Sequence, residues 1–358
     1  MRAFDARPDF SPDQPRSGRG CLVTFLAAVV TVFALIAVFG AGAWFVLDGP
    51  GPLDKRSTII LRKGAGVSEM GASLQHAHIV GSSALFKVAA ELTGADRKLK
   101  AGEYNFPAHV SMGEVIRKMA AGEVVRHFVT IPEGWTSAQV AAVLRANTAL
   151  SGDLTTPPEG SLLPDTYEFT RGDSRLELIA KMRAARDSVL ADLWPRRKPG
   201  LPFTTPEQAV TLASIVEKET GIASERLKVA GVFVNRLKKG MKLESDPTIV
   251  YGITKGEPLG HGIRQSEMLA PTPYNTYVVT GLPPTPICNP GRAALAAVLN
   301  PDDTDALFFV ANGKGGSNFA ATQAEQNKNV ATWRQIEAQR KAAGTSVVHT
   351  PAAPVQRR

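Results

Sequence analysis

Two carboxylates flank one lysine in the run IVEKET (215–220), and Glu217 and Glu219 are the residues best placed by type and spacing to do chemistry. A carboxyl group in apolar surroundings keeps its proton near neutrality and can act as a general acid. The competing reading is a pair of solvated charges at a helix end. The segment FTTPEQAVTLASIVEKET predicts a helix with Thr205 as N-cap, Pro206 in the first turn and Gln208 closing a capping box, which puts both carboxylates on the last turn. Two positions along a helix differ by roughly 200°, so the two groups cannot form a dyad. Glu219 lies over Ile215 and Val216, part of an apolar stripe with Leu212, whereas Glu217 lies over Ala213 and Ser214 at its margin and Lys218 points away. The helix dipole also disfavours negative charge at this end. Glu219 is the better acid on these grounds, with Glu217 as the alternative.

The segments C-terminal to this helix suit a sugar ligand. SERLKVAGVFVNRLKKG (224–240) predicts a helix capped by Ser224 and stopped by Gly240; LESDPTIVYG (243–252) and TPYNTYVVTGLPPTPICNPG (272–291) are loops dense in Tyr, Asn, Thr, Pro and Gly. Aromatic rings stack on the apolar faces of sugars while amides and hydroxyls pair with sugar hydroxyls. Metal chemistry is not expected: two distant cysteines, Cys21 and Cys288, and six histidines without an HExxH pairing give no metal site, and no cofactor motif is present.

The elements that must position these residues start with a membrane segment. From Cys21 to Leu47 no residue is charged, a run longer than the roughly 20 residues that cross a bilayer core. A cleaved signal, with AGA at 41–43 as the processing site, is the alternative, but its apolar core would be about 7–15 residues. Arg2, Arg7, Arg16 and Arg19 before the segment favour a cytoplasmic N-terminus. Beyond it, ILRKGAGVSEMGASL (60–74) and VTIPEGWTSAQVAAVL (129–144) repeat one pattern of strand, Gly turn, Ser or Thr cap and amphipathic helix. A third such passage, GEYNFPAHVSMGEVIRKMAAGE, has Ser111 and Glu114 spaced as a capping box. A Gly- and Pro-rich loop at 151–169 marks a boundary, and a helix opening on SRLE from Ser174 runs to Pro195. A closing helix from about Ala321 to Ala343 precedes a polar tail expected to be disordered. The formal charge of +8, from 41 Lys and Arg against 33 Asp and Glu, suits an anionic partner. The basic residues are scattered rather than striped, which argues against nucleic acid.

Taken together, LASIVEKET, ASERLKVAGVFVNRLKKGMKLESDPTIVYG, PYNTYVVTGLPPTPICNPG, EGSLLPDTY and VANGKGGSNF occur in an order that resembles the endolytic murein transglycosylase (MltG or YceG-like) family over nearly the whole chain. The resemblance implies an α+β fold: a cytoplasmic tail (1–20), a single transmembrane helix (21–47), LysM-like strand–helix modules (55–150), a mixed α/β catalytic domain (151–343) and a disordered tail (344–358). It implies non-hydrolytic cleavage of peptidoglycan glycan strands between N-acetylmuramic acid and N-acetylglucosamine, leaving 1,6-anhydro ends, on the periplasmic side of the inner membrane. Peptidoglycan synthases and division proteins are the implied partners. Glu219, the second Glu of the EKE triplet, matches the catalytic carboxylate. Asn235, Asp246, Tyr251, Tyr274, Asn275 and Tyr277 match positions expected to line or support the cleft. A hydrolase would need a second carboxylate, for which Asp246 is the candidate. Its Asp-Pro-Thr context reads instead as a turn in which the carboxylate binds backbone amides. Ser317 and Gln326 stand where relatives often carry histidine, so no histidine is expected to act there. A muramidase-like hydrolase and a non-catalytic glycan-binding scaffold are the alternative functions.

Overall fold

The computed structural model describes residues 18–342; the cytoplasmic and C-terminal tails read from the sequence, apart from residues 18–20, lie outside them. It opens with one apolar helix, α1 (Gly18–Asp48). By length and composition its Val23–Asp48 portion is sufficient to cross a membrane. Phe25, Phe33, Ile36, Val38, Phe39 and Phe45 are all exposed along it. The described residues fall into two compact units, one ending at Val125 and the other starting at Arg126.

In the first unit, α1 is followed by β1 (Ser57–Leu61), α2 (Val67–His76), α3 (Ser83–Leu92), β2 (Gly102–Phe106) and α4 (Met112–Ala121). β1 and β2 pair antiparallel, from Ser57 opposite Phe106 to Leu61 opposite Gly102, so two helices lie between the partners in sequence. Phe86, Tyr104, Phe106, Leu74, Ile79 and Met119 fill the core. The Tyr104 hydroxyl is satisfied by donating to the Lys100 carbonyl at 2.7 Å. Ser111 caps α4 by accepting from the Glu114 amide, as expected, without the reciprocal Glu114 side-chain bond that would complete the box. The cap of α2 differs: Gly66 occupies the N-cap position and no side chain bonds there.

The second unit runs β3 (Arg126–Thr130), α5 (Ser137–Ala146), β4 (Thr166–Thr170), α6 (Arg175–Leu193), a 3₁₀ turn at 194–196, α7 (Pro206–Glu219), α8 (Arg226–Lys238), α9 (Asp246–Thr254), α10 (Gln265–Met268), α11 (Arg292–Leu299), β5 (Phe308–Ala311), β6 (Ser317–Ala320) and α12 (Gln323–Ala342). β3 pairs antiparallel with β4, and β5 with β6. The two look-alike passages of the sequence therefore belong to different units. The pairing of β3 with β4 draws residues 126–150 into the second compact unit. A strand-helix pattern reports local structure, whereas the partner of a strand is chosen by distant residues.

Two apolar clusters build this unit. One gathers Val129, Val140, Leu144, Leu162, Phe169 and Met182 from β3, α5, β4, α6 and their loops. The other surrounds α7 with α8, α11 and the end of α6, through Leu212, Ile215, Val216, Phe233, Leu295 and Val298. Every residue of α7 from Ala209 to Val216 is buried. Burial between these positions goes beyond the single stripe of Leu212, Ile215 and Val216 read from the sequence and includes the polar Thr211 and Ser214, while Gln208 and Lys218 at the ends are exposed. Thr205 and Gln208 form the expected capping box with Pro206 in the first turn. At α6, Ser174 caps through the Leu176 amide, one residue short of the expected box. At α8 the N-cap is Glu225, not Ser224.

Asn289, fully buried, fastens three segments of this unit. Its Oδ1 accepts from the Leu162 amide at 3.0 Å, and its Nδ2 donates to the Trp135 carbonyl at 3.0 Å and the Ser137 hydroxyl at 3.1 Å. Leu at this position would strand those buried groups, at a cost of about 2–4 kcal/mol. Asn289→Leu is therefore expected to lower the thermal midpoint of the full chain by several degrees in circular dichroism; an unchanged midpoint would remove Asn289 as the fastening residue.

Candidate active site

The last turn of α7 carries Glu219 into the interior, where it is 9% exposed. Its Oε1 accepts a hydrogen bond of 2.6 Å from the Ser245 hydroxyl. Ser245 is itself held on both sides. Its amide donates to Thr276 Oγ1 at 2.9 Å, and its carbonyl accepts from Thr248 Oγ1 at 2.6 Å. Thr248 and Thr276 complete the ladder with hydroxyls 2.9 Å apart, and all three residues are fully buried. Burial raises the Glu219 pKa to about 7, and the nearby Asp246 charge adds to the rise; the Ser245 hydrogen bond and the Arg236 guanidinium oppose it.

Arg236 is 2% exposed, and backbone carbonyls take up much of its donor capacity: Leu307 at 2.7 Å, Lys242 at 2.9 Å and Leu243 at 3.1 Å. It also donates to Glu244 Oε2 at 3.0 Å. It thus builds the loop beneath Ser245 and leaves Glu219 without a direct cationic partner.

Glu217 leaves α7 in another direction. Its Oε2 accepts from the Gly291 amide at 2.8 Å, and Arg226 Nη2 lies 3.9 Å from Oε1. Burial raises its pKa, and the Glu133 charge adds to this. Gly291 is the N-cap of α11, and a Cβ there would collide with the Glu133 carboxyl, so Glu217 ties a tightly packed backbone junction. The two carboxylates diverge as the helix geometry requires, and Glu217 has a structural task. Lys218 is exposed, as a side chain pointing away from the apolar stripe should be, and lines a cleft with Nζ 3.4 Å from the Gly134 carbonyl.

The remaining sequence candidates separate into two groups. Asp246 is the first residue of α9, not a turn residue, and its Oδ1 accepts from the Tyr277 hydroxyl at 2.6 Å. Burial, then the Asp246 charge and this hydrogen bond, push the Tyr277 phenol well above its ordinary range, so it stays a donor. Tyr251 lies edge-on to Tyr274 at 4.9 Å and donates to Glu159 Oε2 at 3.1 Å. Tyr274 shares a 2.8 Å hydrogen bond with the Thr285 hydroxyl. These residues gather around the loops that follow α7 and α8. Asn275 and Asn235 do other work. Asn275 is fully buried and staples its own loop, donating to the Met268 carbonyl at 2.9 Å and the Ala270 carbonyl at 2.8 Å. Asn235 ties α8 to the approach of β5, donating to the Thr304 carbonyl at 2.7 Å.

A cleft of about 410 Å³ opens beside this cluster, with Lys218, Asp246 and Tyr251 among its lining residues. That volume lies within the roughly 300–1,000 Å³ of small-ligand sites. Gly256 lets one wall close: its φ is +97°, and a Cβ there would strike the Thr136 methyl. Among the described residues no three His, Cys, Asp or Glu side chains gather as a metal site. Sequence reasoning missed Ser245, Arg236, Glu159 and the two threonines. Only Ser245 carried a signal, as the neighbour of Asp246 in LESDPT. Ser317 donates its amide to Glu225 Oε1 at 2.7 Å, and the buried Gln326 donates to the Phe309 carbonyl at 3.2 Å, so both serve packing of the β5–β6 hairpin.

The raised pKa of Glu219 has a stability consequence. Between the ordinary carboxylate value, 4.5, and about 7 the folded chain holds a proton that the unfolded chain has released. Stability therefore falls as pH rises through that window, by about 3 kcal/mol in all. Glu219→Gln removes the titration. The variant should be more stable than the native chain at pH 8.5 and nearly equal to it at pH 4, as read from denaturant unfolding at both pH values. A constant difference would contradict the buried, protonated carboxyl.

Comparison with known proteins gives a consistent picture. The model of the YceG-like family matches residues 59–332. A Bacillus subtilis protein named endolytic murein transglycosylase is 28% identical over 309 residues, covering 77% of this chain and 84% of its own. A Streptococcus pneumoniae protein of the same name is 30% identical over 362 residues, covering 85% of this chain, which spans 65% of the pneumococcal length. A crystal structure of a YceG-like protein from Listeria monocytogenes shares 27% identity over 76% of this chain and 98% of its own, with a TM-score of 0.47. The chain belongs to the YceG-like family.

Proposed function

We propose that the chain is a membrane-anchored endolytic lytic transglycosylase that cuts glycan strands of peptidoglycan without water as the attacking group. The observation that carries the proposal is Glu219: a buried carboxyl that keeps its proton to about pH 7, beside a cleft, fixed by one short hydrogen bond. The relatives' name supports the substrate class.

One carboxyl group serves both halves of the reaction. Protonated Glu219 donates to the glycosidic oxygen between N-acetylmuramic acid and N-acetylglucosamine as the C1–O bond breaks and the muramic C1 becomes oxocarbenium-like. Glu219, now a carboxylate, accepts the proton of that sugar's C6 hydroxyl while O6 closes on C1. The product is a 1,6-anhydro end, and the carboxyl is regenerated with no water consumed. Ser245 holds Oε1, leaving the other oxygen to carry the proton. Asp246, steadied by Tyr277, supplies negative potential that keeps Glu219 protonated and favours the positive centre. The same aspartate supports a second reading, a muramidase-like hydrolase in which Asp246 places a water.

The rest of the chain fits an anchored enzyme. An apolar helix whose large side chains are uncovered calls for a lipid surrounding, so α1 spans the membrane, with the N-terminus cytoplasmic and both units outside. The β1–α2–α3–β2 unit is a LysM-like module that holds glycan close to the bilayer. Nascent peptidoglycan is the substrate, and synthases and division proteins are the partners this position implies.

The test is a pH–rate profile on freshly polymerised, uncrosslinked strands. The native chain should lose activity as pH rises through about 7, because the acid must be protonated. Ser245→Ala removes a donor that lowers the Glu219 pKa and should move that limb up; Asp246→Asn removes a charge that raises it and should move the limb down. Glu219→Gln should lose at least about a hundredfold in rate. Limbs that ignore both variants, or an active Glu219→Gln, would end the assignment.

A further inference from the structure

The cleft beside Glu219 has a lining that a bare sugar chain does not explain. Pro247 and Val250 of α9, Pro258, Leu259 and Ile263 of the α9–α10 connection, and Ile287 supply aliphatic walls. A pyranose carries hydroxyls around its rim, and walls of this kind would strip their water without replacing it. The ring of Tyr251, the aromatic residue of the lining, is already packed edge-on to Tyr274 with its hydroxyl on Glu159. Methyl-bearing groups suit such walls, because their burial there removes apolar surface from water without stranding a polar group.

The polar residues of the cleft are unequally occupied. Asp246 accepts from Tyr277. His261 lies 3.5 Å from Glu267 and contacts the Gly262 carbonyl at 2.8 Å. Lys218 has only a long bond to the Gly134 carbonyl, and among the described residues it has no carboxylate within 4 Å. An ammonium with spare donors above aliphatic walls selects a ligand that combines methyl groups with a carboxylate.

Muramic acid carries such a group on the ring whose C1 would react: a lactyl ether, extended by a short peptide with alanyl methyls and free carboxylates. Lys218 is the chain neighbour of Glu219, and Asp246 both lines the cleft and acts on Glu219, so two lining residues adjoin the reacting carboxyl, which is not itself part of the lining. Resting on the transglycosylase reading, we propose that this cleft receives the lactyl-peptide arm of muramic acid, with Lys218 pairing to a carboxylate of the arm. The chain then selects strands that bear peptides over stripped glycan.

The experiment uses the full chain in detergent micelles and glycan oligomers of matched length, one set with peptide stems and one stripped by an amidase. Binding is measured by calorimetry with the Glu219→Gln variant, which prevents turnover, and cleavage by the native chain is followed in parallel. The expected result is about tenfold tighter binding of the peptide-bearing set, the size of one partly desolvated ion pair with its apolar contacts. Adding Lys218→Ala or Leu259→Asn should each remove most of that preference and leave binding of stripped oligomers within about twofold. Equal affinity for both sets, or a preference untouched by both variants, overturns the assignment of the cleft. The two proposals fail separately: a retained binding preference without cleavage by the native chain would remove the transglycosylase reading and keep the peptide site, whereas equal binding with anhydro products would do the reverse.

Discussion

A carboxylic acid kept out of water is the constraint around which the second unit is arranged. α7 is buried from Ala209 to Val216 and again at Glu219, its C-terminal residue, which packs against the loop before α9. That loop offers Glu219 one hydroxyl and no cation: Ser245 donates at 2.6 Å, while the nearby Arg236 is occupied by backbone carbonyls and Glu244. A direct ion pair would have stabilised the carboxylate and lowered its pKa. The arrangement instead holds the proton, and the fold accepts the resulting loss of stability near and above neutrality. The hydroxyl ladder of Ser245, Thr248 and Thr276 is rigid because every member is buried and paired.

Neighbouring carboxylates show how differently the same side chain is used. Glu217 accepts a backbone amide and faces Arg226, as a structural carboxylate does. Glu159 accepts the Ser137 amide at 2.8 Å and the Tyr251 hydroxyl at 3.1 Å, and burial still raises its pKa. Asp246 acts at a distance through its charge and is steadied by a phenol. The divergence of Glu217 and Glu219 follows from helix geometry alone. Their different environments follow from which loops pack at the end of α7.

Local signals were legible in the sequence and long-range ones were not. The capping box of Thr205 and Gln208, the cap at Ser111 and the stop at Gly240, where φ is +64°, depend on residues within a few positions and could be read directly. Ser224 looked like a cap because nothing nearby revealed that Glu225 would be held by the Ser317 amide ninety-two positions away. The preference for Glu219 rested on the apolar stripe of Leu212, Ile215 and Val216, and all three are buried, though the burial extends to the rest of the helix between Ala209 and Val216. Asn235 and Asn275 matched positions expected to line or support the cleft; that their amides hold distant or loop carbonyls is something only the fold reveals. Ser245 and Arg236 were passed over for the same reason, since a serine beside an aspartate and an arginine in a helix are ordinary until their partners are known.

The central claim is that cleavage proceeds by internal closure of the sugar, with Glu219 as its acid and base. Mass spectrometry of the strand ends released from uncrosslinked peptidoglycan tests it most directly. The account predicts new internal ends lighter by one water than a reducing muramic acid, formed by the native chain and absent with Glu219→Gln. Reducing ends that vanish with Asp246→Asn would contradict it and make the chain a hydrolase.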